Sequence, residues 1–455
     1  MWTDQFTRRD VLHRTMAGFP LLSLHGLLAT ESAVAGSHPL AARKPHHPPR
    51  AKSVIFLFMG GGPSQVDLFD PKPTLAKYKQ IPVSLPRITR DATPNCRPSP
   101  FKFRRHGESG IWISELLPHL THCADDLCVL RSVHCNQIEH SGAIRQMTTG
   151  DGVLPRPSVG AWSLYGLGSE SDSLPGFVSI GSQTNLPGKY SYGSSFLPTA
   201  FEGTSITDVS RPINNLEMSV PVSVQSVRLD AIRRLGEFHR RNREEDSRLD
   251  ARIAAFELAF RMQTQAPEAF DLSRENQSMH RLYGTDRKTT QEYARHCLLA
   301  RRLVERGVRF VVAHVDNRWD DHGSVKAHEK PAALSDQPVA ALLTDLKSRG
   351  LLEETLVIWG GEFGRTPTAQ GSGRDHHPYG FTMWLAGGGV KRGLTWGATD
   401  DFGFFAVENK VHVHDLHATI LHLLGLDHEK LTYRYSGRDY RLTDVYGTVV
   451  EDIIS

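Results

Sequence analysis

The chain contains four continuous apolar runs, and a polar, glycine-rich segment directly follows each of them. Continuous rather than alternating apolar positions are typical of strands that are buried on both faces of a parallel sheet. Helical patterns follow at about 334–348 and 414–426. This alternation predicts an α/β fold, with a doubly wound, mostly parallel sheet flanked by helices. The four runs lie at 53–59, 308–315, 355–359 and 381–386.

A long charged segment interrupts this alternation between about 225 and 305. Its apolar residues recur at helical spacing and it holds no proline before Pro267, so it predicts a helical insertion. We therefore expect one domain over residues 51–455 that carries this insertion. Ligands of open α/β sheets bind at the carboxyl ends of the strands. The polar segments that follow the four apolar runs are accordingly expected to converge.

The first 35 residues have the pattern of an export signal. Arg8 and Arg9 precede a modest apolar run, and Ala33-Val34-Ala35 offers a small-residue cleavage site. This pattern predicts a twin-arginine signal over 1–35, a Pro/His/Arg linker over 36–50, and a periplasmic or extracellular protein. No segment of the mature chain approaches the ~20 apolar residues of a membrane span.

Composition excludes some classes of function. The formal net charge of the 455 residues is only +3, with basic residues spread along the chain, so charge gives no case for nucleic-acid binding. Five cysteines without a CxxC or CxxCH spacing exclude a zinc finger and a c-type haem site. They leave room for one or two disulfides in an oxidising compartment.

Carboxylates and imidazoles are concentrated in the polar segments at the strand ends. These are the ligands that zinc and similar divalent ions use, so the segments together predict a divalent metal site, with zinc favoured over Mg²⁺, Ca²⁺ or Mn²⁺. Each segment alone is also compatible with a solvated loop. Arg365 either clamps an anionic substrate group or pairs with Glu362 or Asp375. The segments contain Asp67 and Asp70; His140 and Ser141; Asp320, Asp321 and His322; and Glu362, Asp375, His376 and His377.

Several longer motifs carry a family resemblance. "GGGPSQVDLFDPKP", "WDDHGS", "GGEFGRTP" and "GRDHHPYGFTMWLAGGGVKRG" resemble domain-of-unknown-function family 1501, over about residues 50 to 450. That family of often twin-arginine-exported bacterial proteins is similar to the alkaline phosphatase and sulfatase superfamily. The resemblance implies an α/β sheet with one or two divalent metals at the strand ends, near a Ser, Thr or formylglycine nucleophile.

The resemblance also implies roles for individual residues. Asp67 would be an early aspartate ligand, with Ser64 as the alternative occupant of that position. Asp320 and His322 resemble the aspartate and histidine of the first metal. Glu362 matches the carboxylate of the second metal, although Phe363 follows where phosphatases usually have histidine. The last histidine ligand would be His376 or His377.

The nucleophile position departs from the superfamily pattern. Counting ten residues back from the glycine of Thr149-Gly150 reaches His140 instead of Ser, Thr or Cys. His140 would be a metal ligand, a general base or a nucleophile, and Ser141 would serve only in a shifted register. Arg365 or Arg374 would clamp the oxyanion.

Two functions follow from this reading. One is a metal-dependent hydrolase of phosphate or sulfate esters outside the cytoplasm, acting on an anionic small molecule or polysaccharide ester. The other is a non-catalytic, metal-containing exported protein that binds an anionic polymer or a partner protein. The sequence leaves the oligomeric state open.

Overall fold

The computed structural model describes residues 39–79, 83–86, 92–181, 188–210, 221–241 and 267–455. The predicted signal peptide over 1–35 lies outside the described residues. The described part of the predicted linker packs along the domain, because the backbone N–H groups of Arg43 and Arg50 donate to the carbonyls of Leu167 and Leu423. The predicted boundaries of the signal peptide (1–35), the linker (36–50) and the helical insertion (about 225–305) stay predictions.

The described residues form eighteen strands and ten α-helices. The strands are β1 (Ser53–Met59), β2 (Ala92–Cys96), β3 (Phe103–His106), β4 (Ile111–Ser114), β5 (Leu127–His134), β6 (Phe177–Ile180), β7 (Thr204–Ile206), β8 (Phe310–Val315), β9 (Thr355–Gly360), β10 (Gly364–Gln370), β11 (Gly373–His377), β12 (Phe381–Ala386), β13 (Leu394–Trp396), β14 (Ala398–Thr399), β15 (Ala406–Glu408), β16 (Val411–His412), β17 (Tyr433–Tyr435) and β18 (Arg438–Tyr440). The helices are α1 (Gln65–Leu68), α2 (Thr74–Lys77), α3 (His140–Thr149), α4 (Val159–Leu167), α5 (Val222–Arg241), α6 (Pro267–Phe270), α7 (Gln277–Tyr283), α8 (Gln291–Val304), α9 (Glu329–Ser348) and α10 (Val413–Leu423).

A mixed sheet of mostly parallel strands forms the centre of the fold. Among the described residues it has nine strands, eight of them in the order β13-β5-β12-β9-β1-β8-β6-β7, and β16 pairs with the end of β5. All the pairings are parallel except those of β12. The predicted fold class is confirmed.

Helices cover both faces of the sheet. Alternate residues of β1 point to opposite faces, as the period of a strand requires. Ile55 and Leu57 pack in one core with α8 and α9, whereas Phe56 and Phe58 pack in the other with α3, α4 and α10. Because β1 is buried on both faces, its sequence is a continuous apolar run, as are those of β8 and β9.

The direction of β12 corrects one expectation. Strands β1, β8 and β9 run parallel, so their carboxyl ends share one edge of the sheet. β12 runs antiparallel to both of its neighbours, and its carboxyl end therefore lies at the opposite edge. The physical reason is the antiparallel hairpin of β10 and β11, which keeps the chain at the carboxyl edge of β9 before β12 begins. The residues that precede β12, including those of β11, therefore lie at the shared edge, and the residues that follow β12 do not.

The predicted helical insertion is described in part. Residues 242–266 lie outside the described residues. The last helix of that range, α8, is almost entirely buried and contacts β8, so it belongs to the layer of helices that flanks the sheet.

All five cysteines are buried and free. Among the described helices, none is both long enough and apolar enough to cross a bilayer.

Candidate metal centre

The shared carboxyl edge of the sheet collects six of the residues singled out in the sequence. α3 follows β5 and begins at His140, the loop after β8 carries Asp320 and His322, and β11 carries His376 at the edge from which β12 starts. Glu362 directly follows β9, and Arg365 lies on β10. Residues up to 236 positions apart in sequence thus meet at one place: His140, Asp320, His322, Glu362, Arg365 and His376.

Asp320 lies at the centre of this cluster. Its Oδ2 is 3.3 Å from Nε2 of His140, and its Oδ1 is 3.1 Å from Nε2 of His322. Nε2 of His376 lies 3.7 Å from Oδ1 of Asp320 and 3.1 Å from Nε2 of His322. Three imidazoles therefore direct the same ring nitrogen towards one carboxylate.

The other ring nitrogen of each histidine is fixed by an oxygen atom. Nδ1 of His140 lies 2.6 Å from Oε1 of the Glu362 carboxylate, and Nδ1 of His376 lies 2.7 Å from the carbonyl oxygen of Ile138. Nδ1 of His322 hydrogen-bonds Oε1 of Gln370. An oxygen acceptor requires the hydrogen to be on Nδ1, so in the neutral ring Nε2 carries the lone pair.

This arrangement fits a metal ion. The lone pairs on Nε2 of His322 and His376 face each other and repel unless a proton or a cation lies between them. Nε2 of His140 is buried and makes no hydrogen bond to the described residues, although it lies close to Asp320. Donor atoms of His140, Asp320 and His376 all lie within 4.8 Å of one another. Imidazole nitrogen and carboxylate oxygen are both ligands that zinc uses in proteins.

Arg365 holds the carboxylate of Asp320 from the protein side. The side chain is fully buried, and its Nη2 lies 2.7 Å from Oδ1 of Asp320. Its remaining N–H groups donate to the carbonyls of Gly61 and Gly62, and Nη1 lies 3.3 Å from Nε2 of His322. These contacts orient Asp320 and occupy the guanidinium, which removes Arg365 from the predicted role of anion clamp.

The charges at the centre affect the protonation of Asp320 and His140. Burial raises the pKa of Asp320, but the neighbouring imidazoles of His140 and His376 and the charge of Arg365 lower it well below its usual range. Burial lowers the pKa of His140, whereas the neighbouring carboxylates of Asp320 and Glu362 raise it to about 9. The two carboxylates therefore favour positive charge at this position.

Asp67 and Arg374 lie in a separate buried pair. Nε and Nη2 of Arg374 lie 2.7 and 3.1 Å from the two carboxylate oxygens of Asp67, and both side chains are at most 1% exposed. Oγ of Ser64 donates to Asp67 Oδ2 at 2.5 Å. The expected metal ligand and the expected anion clamp thus neutralise each other, and the structure brings neither of them to the cluster.

His377 and Ser141 also point elsewhere. Successive residues of β11 face opposite sides, so His377 turns away from Asp320 and its Nε2 lies 2.5 Å from the carbonyl oxygen of Phe404. Burial lowers the pKa of His377 to about 4. Ser141 is exposed to solvent next to His140. Of the alternatives left open by the sequence, the structure brings His376 and His140 to the cluster.

Sequence reasoning missed the groups that orient the imidazoles. The anchor of His376 is a backbone carbonyl, which every residue carries and which no sequence pattern marks. Gln370 shows no distinguishing feature in the sequence, and its role appears only because β10 passes beside His322. Glu362 was expected as a ligand, and its Oε1 instead accepts from Gly61 N and contacts His140.

Comparison with known proteins places the chain in a family. A family model described as "Protein of unknown function (DUF1501)" matches residues 51–454. The chain belongs to the DUF1501 family. The resemblance noted in the motifs is thereby confirmed. A search of curated proteins finds no match.

Solved structures that resemble this DUF1501 chain do so at low identity. A phosphonate monoester hydrolase from Silicibacter pomeroyi is 11% identical, with 82% of this chain and 73% of that chain covered and a TM-score of 0.37. The PsFucS1 sulfatase from Pseudoalteromonas sp. is 13% identical, with 90% and 71% covered and a TM-score of 0.33. A protein of the alkaline phosphatase superfamily from Vibrio parahaemolyticus is 10% identical, with 86% and 70% covered and a TM-score of 0.33. Similarity at this level assigns no function.

The Asp67–Arg374 pair is open to a test of stability. Arg374→Met leaves a buried, unpaired carboxylate, and we expect the free energy of unfolding to fall by roughly 3–5 kcal/mol. Asp67→Asn combined with Arg374→Met removes both charges, and we expect it to recover much of this loss. Urea unfolding of wild type, both single variants and the double variant measures the coupling. Additive losses would contradict the pairing.

Proposed function

We propose that the chain is an exported metal-dependent hydrolase of phosphate or sulfate esters, built around one divalent ion. The ligands would be Asp320 and the Nε2 atoms of His140, His322 and His376. The convergence of three anchored imidazoles on one carboxylate carries this proposal. Three nitrogen donors and one oxygen donor favour zinc over Mg²⁺ and Ca²⁺, which prefer oxygen.

The protein side chains would divide the work of the site. When bound, a divalent ion polarises an ester oxygen and lowers the pKa of a water molecule towards ~7. Glu362 would keep the hydrogen of His140 on Nδ1, and Gly61 N–H, 2.9 Å from Oε1, holds that carboxylate in place. Arg365 would fix the direction of Asp320. With His140 acting as a ligand, the nucleophile is water and no covalent histidine intermediate forms.

One observation favours the second candidate function, a non-catalytic metal-containing protein that binds an anionic polymer or a partner protein. Both arginines that were expected to clamp an oxyanion are buried and engaged with carboxylates of the protein. A hydrolase would have to bind the ester group mainly through the metal, on the side where His322 is 36% exposed. Metal content and turnover separate the two functions.

Metal content tests the proposed ligands. We expect about one divalent ion per mature chain, and less than roughly a tenth of that in His376→Ala, because a ligand is lost. His377→Gln is the matched control: His377 is the next residue and is also buried, and glutamine retains a donor for the carbonyl of Phe404. Elemental analysis by mass spectrometry and turnover of aryl phosphate and aryl sulfate are measured on the same samples.

A further variant separates a ligand from an orienting group. Glu362→Gln is expected to weaken the affinity for the metal by roughly 10–100-fold without abolishing binding, as outer-shell changes do. One ion per chain without turnover of either ester would reject the hydrolase and favour the second function. Wild type without any metal, or equal loss in His377→Gln and His376→Ala, would reject both.

We also propose export by the twin-arginine route, on the evidence of Arg8, Arg9 and the apolar run that follows them. Replacing both arginines by lysine is expected to retain the precursor in the cytoplasm. Cell fractionation followed by immunoblotting measures this. Unchanged export of the double variant would contradict the route.

A further inference from the structure

A polar cavity lies away from the candidate metal centre. It has a volume of about 280 Å³ and lies between the β3–β4 hairpin, strand β5 and Phe69. No residue of the candidate metal centre contributes to its walls. Two arginines and one tryptophan dominate the lining: Arg105, Trp112 and Arg131.

The hairpin presents Arg105 as a preorganised cation. Arg105 and Trp112 are directly opposite each other in the antiparallel pair of β3 and β4. The guanidinium carbon lies 5.2 Å from the centre of the Trp112 ring, a cation–π contact. Within the described residues, the Arg105 guanidinium makes no ion pair and no hydrogen bond, and the side chain is exposed. The stack therefore holds the charge in place and leaves its N–H groups available to a ligand.

Arg131 adds a second cation from β5. Its Nη1 lies 3.4 Å from Oδ1 of Asp70, and its Nε is buried without a hydrogen-bond partner among the described residues. The buried carboxylate of Asp70 also binds Lys72, at 3.1 Å, and the hydroxyl of Thr399. The residues that line the cavity carry two cations, Arg105 and Arg131, and no carboxylate, while Asp70 lies outside the lining and is shared between Arg131 and Lys72.

The neighbouring acidic side chain does not cancel this charge. Asp125 lies just before β5, and its carboxylate accepts from the backbone N–H groups of Glu108 and Ser109 in the turn of the hairpin. It does not line the cavity. Phe69 and Val129 give the floor an apolar part, which suits the ring of a ligand that carries a charged group.

We propose that this cavity is a binding site for a sulfate or phosphate group, which Arg105 and Arg131 would bind. Arginine binds such oxyanions through paired, charge-assisted hydrogen bonds. The apolar floor and the Trp112 ring accommodate a sugar-sized group that bears the anion. The site is non-catalytic and independent of the proposed hydrolase function, since it uses none of its residues.

Titration calorimetry of the full mature chain tests the site. The probes are glucose 6-sulfate, unsulfated glucose, sodium sulfate and sodium phosphate. Arg105→Gln is expected to weaken the binding of the anionic probes by about tenfold or more, because a charge-assisted hydrogen bond is lost. Arg104→Gln is the matched control, since Arg104 is the exposed neighbour on β3 and does not line the cavity; its effect is expected to be below about twofold.

The pattern across the probes identifies the source of the anion. Tighter binding of glucose 6-sulfate than of inorganic sulfate supports an ester group on a sugar, and equal binding supports a free oxyanion. Failure of every anionic probe to bind at 10 mM would overturn the proposal. Equal affinity of Arg105→Gln and wild type, or an equal loss in Arg104→Gln, would do the same. Both variants should keep the metal content of wild type, and a loss in Arg105→Gln would contradict the independence of the two sites.

Discussion

The candidate centre depends on one constraint, the fixing of three imidazole rings through Nδ1. Since each Nδ1 donates to an oxygen, the rings of His140, His322 and His376 cannot turn without breaking a buried or half-buried hydrogen bond. Their Nε2 atoms are forced together around Asp320, which Arg365 holds from behind. Lone pairs this close repel each other unless a proton or a cation lies between them, and a divalent cation can be shared by all of them. The proposed metal therefore follows from the orientation of the rings more than from the number of histidines.

The sheet supplies the positions that make this convergence possible. The buried strands β1, β8 and β9 end at a common edge, where the loops that follow them meet. Gly61 illustrates how closely these loops pack: with φ of 104°, a Cβ on it would overlap the backbone nitrogen of Asp320. The same residue donates its N–H to Glu362. A side chain at this position would displace both the Asp320 loop and the anchor of His140.

The sequence predicted the parts of this picture that depend on local pattern. The apolar runs of β1, β9 and β12 gave their bounds to within one residue, because fully buried strands leave a continuous apolar record. The pairing of Asp67 with Arg374 could not be predicted from local sequence patterns, since it joins side chains 307 positions apart. The choice between His376 and His377 rests on the alternation of β11, a strand too polar to be recognised.

X-ray absorption spectroscopy of the metal-loaded chain tests the central claim most directly, because it measures the ligands of the ion. With zinc bound, we expect a single ion with three nitrogen donors and two oxygen donors, one from Asp320 and one from water, at about 2.0–2.2 Å, and the signature of imidazole rings. The signal of the imidazole rings should decrease in a variant that lacks the His376 ring. An environment of six oxygens, or a second metal at about 3.5–4 Å, would contradict it.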